Sequence, residues 1–212
     1  MRGHGLRWWL ALGPALAVPA SLTGQSLSGG VFISHAQVAR ARPALEERLD
    51  GIVFGLNGAA RRGMFQLHAV YQEGSLNADT NAVDTDLVEG ELLLAVDPVP
   101  WAGIAVGPHL RSFVSEGRTE RWVFFETRLR TRAVVAGPVR VSLEAWRVLA
   151  SDVNVAEGVG SAYGMDGGVL VIPPRFPLHA RLGYRVERVT FAGGTRRDTL
   201  ERFSLSVGIG RL

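Results

Sequence analysis

Residues 119–135 read TERWVFFETRLRTRAVV, and their side chains sort by parity. Val123, Phe125, Leu129, Ala133 and Val135 share one parity with Thr127 and Thr131, while Trp122, Phe124, Glu126, Arg128, Arg130 and Arg132 share the other. Successive side chains of a β-strand point to opposite faces, so this stretch predicts a strand with one apolar and one charged face.

The alternation recurs along the chain, and helical periodicity is nearly absent. Ile52, Phe54 and Leu56 form one apolar face, followed by Phe65, Leu67, Ala69 and Tyr71, then by Val88, Leu92, Leu94 and Val96. Further faces are Ile104, Val106, Leu110; Val139, Val141, Leu143, Ala145; Tyr163, Met165, Val169, Val171; Leu178, Ala180, Leu182, Tyr184, Val186; and Phe203, Leu205, Val207, Ile209. With a weaker segment around Val31 to Val38 the count is about ten strands, eight being the alternative. The fold class is therefore all-β, an antiparallel up-and-down barrel.

Every second junction is tight: Arg61-Arg62, Asp97 to Pro100, Ala136 to Pro138, and Pro173 to Pro177. The intervening ones, at 40–50, 74–85, 151–159 and 192–198, are longer and more polar, with only Glu116-Gly117-Arg118 short. Short turns at one end and longer loops at the other are the sidedness of a membrane-spanning barrel. Nearly all prolines fall at junctions, where no ladder hydrogen bond is lost. Pro108 interrupts a strand and predicts a bulge there.

Three features place the apolar parity outside, against lipid. Its central stretches carry no charge, and a charge at bilayer depth on that face costs about 2–4 kcal/mol. Arg147 shares this parity but lies near a strand's outer end, where it can snorkel. Phe54, Tyr71, Phe125, Tyr163 and Phe203 share it too and gather near the loop end as an aromatic girdle. The other parity mixes ionic side chains with Gly55, Gly103, Gly107, Gly164, Gly168, Gly183, Gly208 and Gly210, as a narrow lumen requires small residues opposite long ones. Its charges are Glu89, Glu91, Arg111, Glu126, Arg128, Arg130, Arg132, Arg140, Glu144, Asp166, Arg181, Arg185, Glu187 and Arg202, a candidate lumen network.

On these features the chain resembles the small outer-membrane β-barrel proteins of Gram-negative bacteria. The resemblance implies a location in the outer membrane, outer-membrane lipid as surroundings, and insertion by the barrel-assembly machinery. Members of that class commonly end on an aromatic residue in phase with the lipid-facing positions. Here Leu212 is out of phase with Phe203, Leu205, Val207 and Ile209.

The start of the chain reads as an export signal over residues 1–24. Arg2 and Arg7 precede an apolar run from Trp8 to Val18, with cleavage expected near Ala20 or Gly24, leaving 25–212 as the barrel domain. That run is too short for a spanning helix, and Pro14 interrupts it. The chain has 212 residues, 23 basic residues that are all arginine, 20 acidic ones and no cysteine. A net charge of +3 spread through alternating segments argues against a nucleic-acid partner, and the lack of cysteine excludes disulfides and thiolate metal sites.

No motif points to catalysis or a cofactor. His35, His68, His109 and His179 fall on four different strands without ligand spacing, and read as isolated polar side chains lining the lumen. Asp79, Asp84, Asp86, Ser151 and Asp152 lie near the outer rim, where some outer-membrane barrels are proteases or lipid-modifying enzymes, yet no base pairs with them in sequence. The expected role is structural or in surface interaction, with Arg and Glu filling the lumen. The alternatives are a narrow, weakly anion-preferring channel and a rim-located enzyme.

Overall fold

A computed structural model describes residues 25–79 and 83–210. The export segment with its cleavage points, and the out-of-phase Leu212, lie outside them. The described residues form strands β1 (Gln25–Arg42), β2 (Leu45–Arg62), β3 (Phe65–Ala78), β4 (Thr85–Val99) and β5 (Ala102–Ser115). There follow β6 (Arg118–Ala136), β7 (Val139–Val153), β8 (Val159–Val171), β9 (Leu178–Phe191) and β10 (Arg197–Gly210). Each strand pairs with its sequence neighbours, and β1 pairs antiparallel with β10, from Ser28 opposite Gly210 to Ala41 opposite Arg197. The sheet is a closed barrel, which leaves no edge exposed.

The weak first segment is thus a full strand and half of the closure. Its apolar pattern is diluted because its loop-end half stands where no apolar outer face is required. For the same reason the stretch 40–50 is strand rather than a long loop: Arg40 lies opposite Glu47, Arg42 lies opposite Leu45, and only Pro43 and Ala44 turn the chain. The other loop-end connections are short as well, so the two ends differ less in loop length than the sequence suggests. At the two-residue connections after β2 and β5, Gly63 (φ 60°) and Gly117 (φ 73°) supply the left-handed residue that such hairpins need.

Pro108 produces no bulge. Register with β4 is the same on both sides of it, Glu91 opposite His109 and Leu94 opposite Val106, and only the rungs between are unpaired. The irregularity lies one strand further on, where Pro108 faces Phe125 and the β6–β7 register shifts between Phe125 and Glu126.

Outside, the apolar parity is exposed around the barrel, including Ile52, Leu94, Ile104, Leu129, Leu143, Leu182 and Leu205. Read toward the loop end, this belt stops at an aromatic residue on three strands: Tyr71 precedes Glu73, Tyr163 precedes Ser161, and Phe203 precedes Glu201. Phe54 and Phe125 are exposed on the same face. Tyr71 donates its hydroxyl proton to Glu73 Oε2 at 2.6 Å, and Tyr184 donates to Glu201 Oε2 at 2.8 Å. Rings at this boundary put an apolar body in the acyl layer and a polar tip in the headgroups. Above them Asp50, Ser75, Asp86, Arg121 and Arg188 face outward, so the wall continues past the belt as a polar collar. At the turn end Phe65, Trp101 and Phe176 are exposed and form a second aromatic set.

Candidate functional site: a layered lumen

The inward glycines lie where large side chains need space. A Cβ at Gly55 would sit 2.2 Å from the Phe32 ring, at Gly164 2.3 Å from Trp146, at Gly183 2.2 Å from Arg181 and at Gly208 2.4 Å from His179. The lumen so packed is stratified, from the loop end to the turn end, into an ionic cap, an apolar plug, an ionic layer and a cavity.

The cap joins Arg40, Glu120, Arg196 and Asp198, all buried. Arg196 donates to both oxygens of Asp198 at 2.7 and 2.6 Å and to both oxygens of Glu120 at 3.2 and 2.8 Å. Burial works against its charge, but the hydrogen bonds to Asp198 and Glu120 outweigh that and raise its pKa above the ordinary arginine value. Arg40 lies 3.6 Å from Asp198 and 3.9 Å from Glu120, with its guanidinium over the Phe113 ring.

Beneath it Trp122 is the centre of the plug. Its ring centroid is 5.2 Å from that of Phe113, 5.7 Å from Phe191 and 5.8 Å from Phe124, and Val38, Leu49, Leu76, Leu87, Val189 and Leu200 complete the cluster. Offset and edge-on rings at these spacings are attractive beyond their buried area.

The ionic layer follows at mid-depth. Arg111 forks across the lumen to Glu187 at 2.7 and 3.1 Å and also donates to Glu89 at 3.1 Å. Glu89 accepts in addition from Arg202 and Gln72, each at 2.8 Å. His109, wholly buried, sets Nε2 2.6 Å from Glu89 and Nδ1 3.4 Å from Glu126. Arg128 pairs with Glu126 and, at 2.7 Å, with Glu91, which also accepts from Arg185 at 2.6 Å. Both guanidiniums lie over the Trp146 ring, at 5.0 and 4.3 Å. In this low-dielectric interior, charged groups hold one another by forked, charge-assisted hydrogen bonds. Glu89, Glu91 and His109 bring ligand-type atoms within 4.8 Å of one another. These carboxylates already accept from four guanidiniums, which take the place of a metal's positive charge.

Toward the turn end the pairs thin out around a cavity of about 290 Å³. Arg130 donates to Glu144 at 3.1 Å and to Gln66 at 3.2 Å, Arg132 donates to Asp97 at 2.9 Å, and Arg181 pairs with Asp166. Arg140 also lines this cavity and makes no ion pair or side-chain hydrogen bond among the described residues.

All fourteen candidate network residues therefore face inward, but they do not fill the lumen: its outer half holds an apolar plug beneath a separate ionic cap. Sequence reading missed the plug because Trp122 and Phe124 were grouped with their charged neighbours. It missed Arg40, Glu120, Arg196 and Asp198 because they fell in or beside stretches taken as loops, although Glu120 shares the parity of Glu126 and Asp198 that of Arg202. Asp97 was lost to a turn. His109, taken as isolated, is at the centre of the ionic layer. His35 lies outside, 3.6 Å from Asp50, while His68 and His179 face inward in the turn half. Of the rim candidates, Asp84 accepts the Ala78 N–H at 2.9 Å and Asp86 accepts the Ser75 hydroxyl at 2.6 Å. Asp79 donates its own N–H to the Arg48 carbonyl, and Ser151 and Asp152 are exposed near the end of β7. No histidine among the described residues makes a hydrogen bond or ion pair with Asp84, Asp86, Ser151 or Asp152.

A closed ten-stranded wall, an outward apolar belt and a packed polar lumen define the class by its architecture: the chain has the fold of an outer-membrane β-barrel. Its fold is similar to that of the outer membrane protease OmpT from Escherichia coli, with a TM-score of 0.58 and 9% identity over 89% of this chain and 98% of that one. It also matches the β domain of the Bordetella autotransporter BrkA (TM-score 0.47, 13% identity, 86% and 99% covered) and Neisserial surface protein A (0.42, 12%, 88% and 98%). No protein-family model and no curated protein matches the chain. At these identities the likeness is one of fold alone.

Proposed function

We propose that this protein is a closed, non-conducting barrel that acts by presenting its collar at the cell surface, in a structural or surface-interaction role. The observation that carries this reading is the stacking of cap, plug and ionic layer. No plug or cap residue named above is more than 9% exposed, and Glu89, His109, Arg111 and Glu126 are at most 2% exposed. A through path would have to displace Trp122 and break the Arg111–Glu187 fork. We further infer that the barrel-assembly machinery inserts the chain from the periplasm, a reading that the closed wall and apolar belt support. Single-channel recording in planar bilayers tests the closed lumen: the wild type is expected to show no resolved openings. Steady ohmic conductance would replace this reading with that of a narrow anion-preferring channel, since arginines outnumber carboxylates along the turn half.

A further inference from the structure

The cavity in the turn half is closed above by the ionic layer and lies at the end which, in barrels of this class, opens to the periplasm. Seven arginines and five carboxylates line it, with Ser34, Ser142, Ser204 and Ser206 among the neutral groups. The pairs described above occupy every one of the five carboxylates, and Arg140 alone among the seven arginines has none. On β7 it is opposite Leu170, which is opposite Arg181, which is opposite Ser206, so these inward positions form one continuous rung of the wall. A second polar group is also unmatched: the hydroxyl of Ser34, 2% exposed, has no hydrogen-bond partner. A buried hydroxyl without a partner, as at Ser34, is uncommon, and the part-exposed, unpaired guanidinium of Arg140 offers this chamber a planar fork of donors suited to an oxyanion.

We propose that this vestibule is a binding site for a small oxyanion, a phosphate or carboxylate solute entering from the periplasm, with Arg140 as its principal cation and lumen serines as supporting donors. The volume, at the small end for ligand pockets, readily admits inorganic phosphate or a short dicarboxylate. Binding here needs no passage through the barrel, so the proposal stands apart from the question of conductance.

Calorimetric titration of the folded barrel in a neutral detergent, with inorganic phosphate in one series and succinate in another, tests it and separates the two chemistries. Saturable binding of either probe, weakened at least tenfold in Arg140→Gln and unchanged in the outward-facing control Arg188→Gln, is the expected result. A measurement on the wild type alone guards against a variant that fails to fold. Phenylglyoxal should modify Arg140, and the probe that binds should protect that peptide in mass spectra. Absence of saturable binding for both probes, equal binding by Arg140→Gln, or modification of Arg140 undiminished by either probe would overturn the assignment.

Discussion

Arg111 on β5 and Glu187 on β9 are joined across the lumen by two hydrogen bonds, Nη1 to Oε1 at 2.7 Å and Nη2 to Oε2 at 3.1 Å, although the three strands β6, β7 and β8 separate them the shorter way around the wall. Strand pairing alone leaves a barrel hollow. This fork ties opposite sides together at the depth where the apolar plug gives way to charge.

Truncating one member of such a pair leaves the other buried and unmatched. Arg111→Ala should therefore cost about 3–5 kcal/mol, whereas the double change Arg111→Met with Glu187→Leu should cost clearly less, because no lone charge remains. Urea unfolding followed by heat-modifiable gel mobility measures both. Equal losses in the single and double variants would show that the fork itself contributes nothing special.

Trp122→Ala should destabilise the barrel by roughly 3–5 kcal/mol, the usual range for deleting a large buried ring. It should still not conduct, since the ionic layer beneath stays in place. Replacing Arg130 and Arg185 together by alanine should enlarge the cavity and also leave the bilayer current at baseline, because the plug above is untouched. Conductance is expected only when cap, plug and ionic layer are breached together, as in a variant that replaces Arg196, Trp122 and Arg111. Openings in the Arg130/Arg185 variant would mean that the plug does not seal.

Leu129 is 57% exposed on the outer face of β6. Leu129→Arg should lower stability in lipid by about 2–4 kcal/mol, the depth-dependent cost of a cation on the lipid face. The comparison is Ser75→Arg in the collar, expected to behave as a surface change. Similar unfolding midpoints for the two in phospholipid vesicles would put the belt in the wrong place.

The chain has no cysteine, so single introduced thiols report sidedness without background. Asn77→Cys, outward in the collar, should react with a membrane-impermeant maleimide on intact cells, and Met64→Cys at the turn end should react only after lysis. Labelling of Met64→Cys on intact cells would reverse the orientation.

Parity carried most of the architecture from the sequence. Leu129 and Arg130 differ by one position and face lipid and lumen respectively, and that alternation needs no tertiary information. What parity could not supply is depth. Glu126 and Trp122 share a face, yet one belongs to the ionic layer and the other to the plug, because the barrel's circumference decides which inward side chains meet. Arg111 reaches Glu187, 76 residues away, by a geometry that no local pattern encodes. The loop assignments failed for a simpler reason. Above the belt a strand can be polar on both faces, as β2 is with Glu47 inward and Arg48 outward, and it then reads like loop although its ladder is intact.

The pairing of β1 with β10 sets the order of events in time. The first strand made has the last strand made as one of its two partners, so when Gln25 leaves the ribosome one side of its ladder has nothing to bond with. Contacts this distant in sequence are slow to form, and unpaired backbone is intolerable in hydrocarbon. The polypeptide must therefore be kept unfolded until its tail has arrived, and the wall must then assemble and enter lipid as one event. A barrel without β10 would leave the ladders of β1 and β9 as two open edges, so the stability of the first strand depends on the arrival of the tenth.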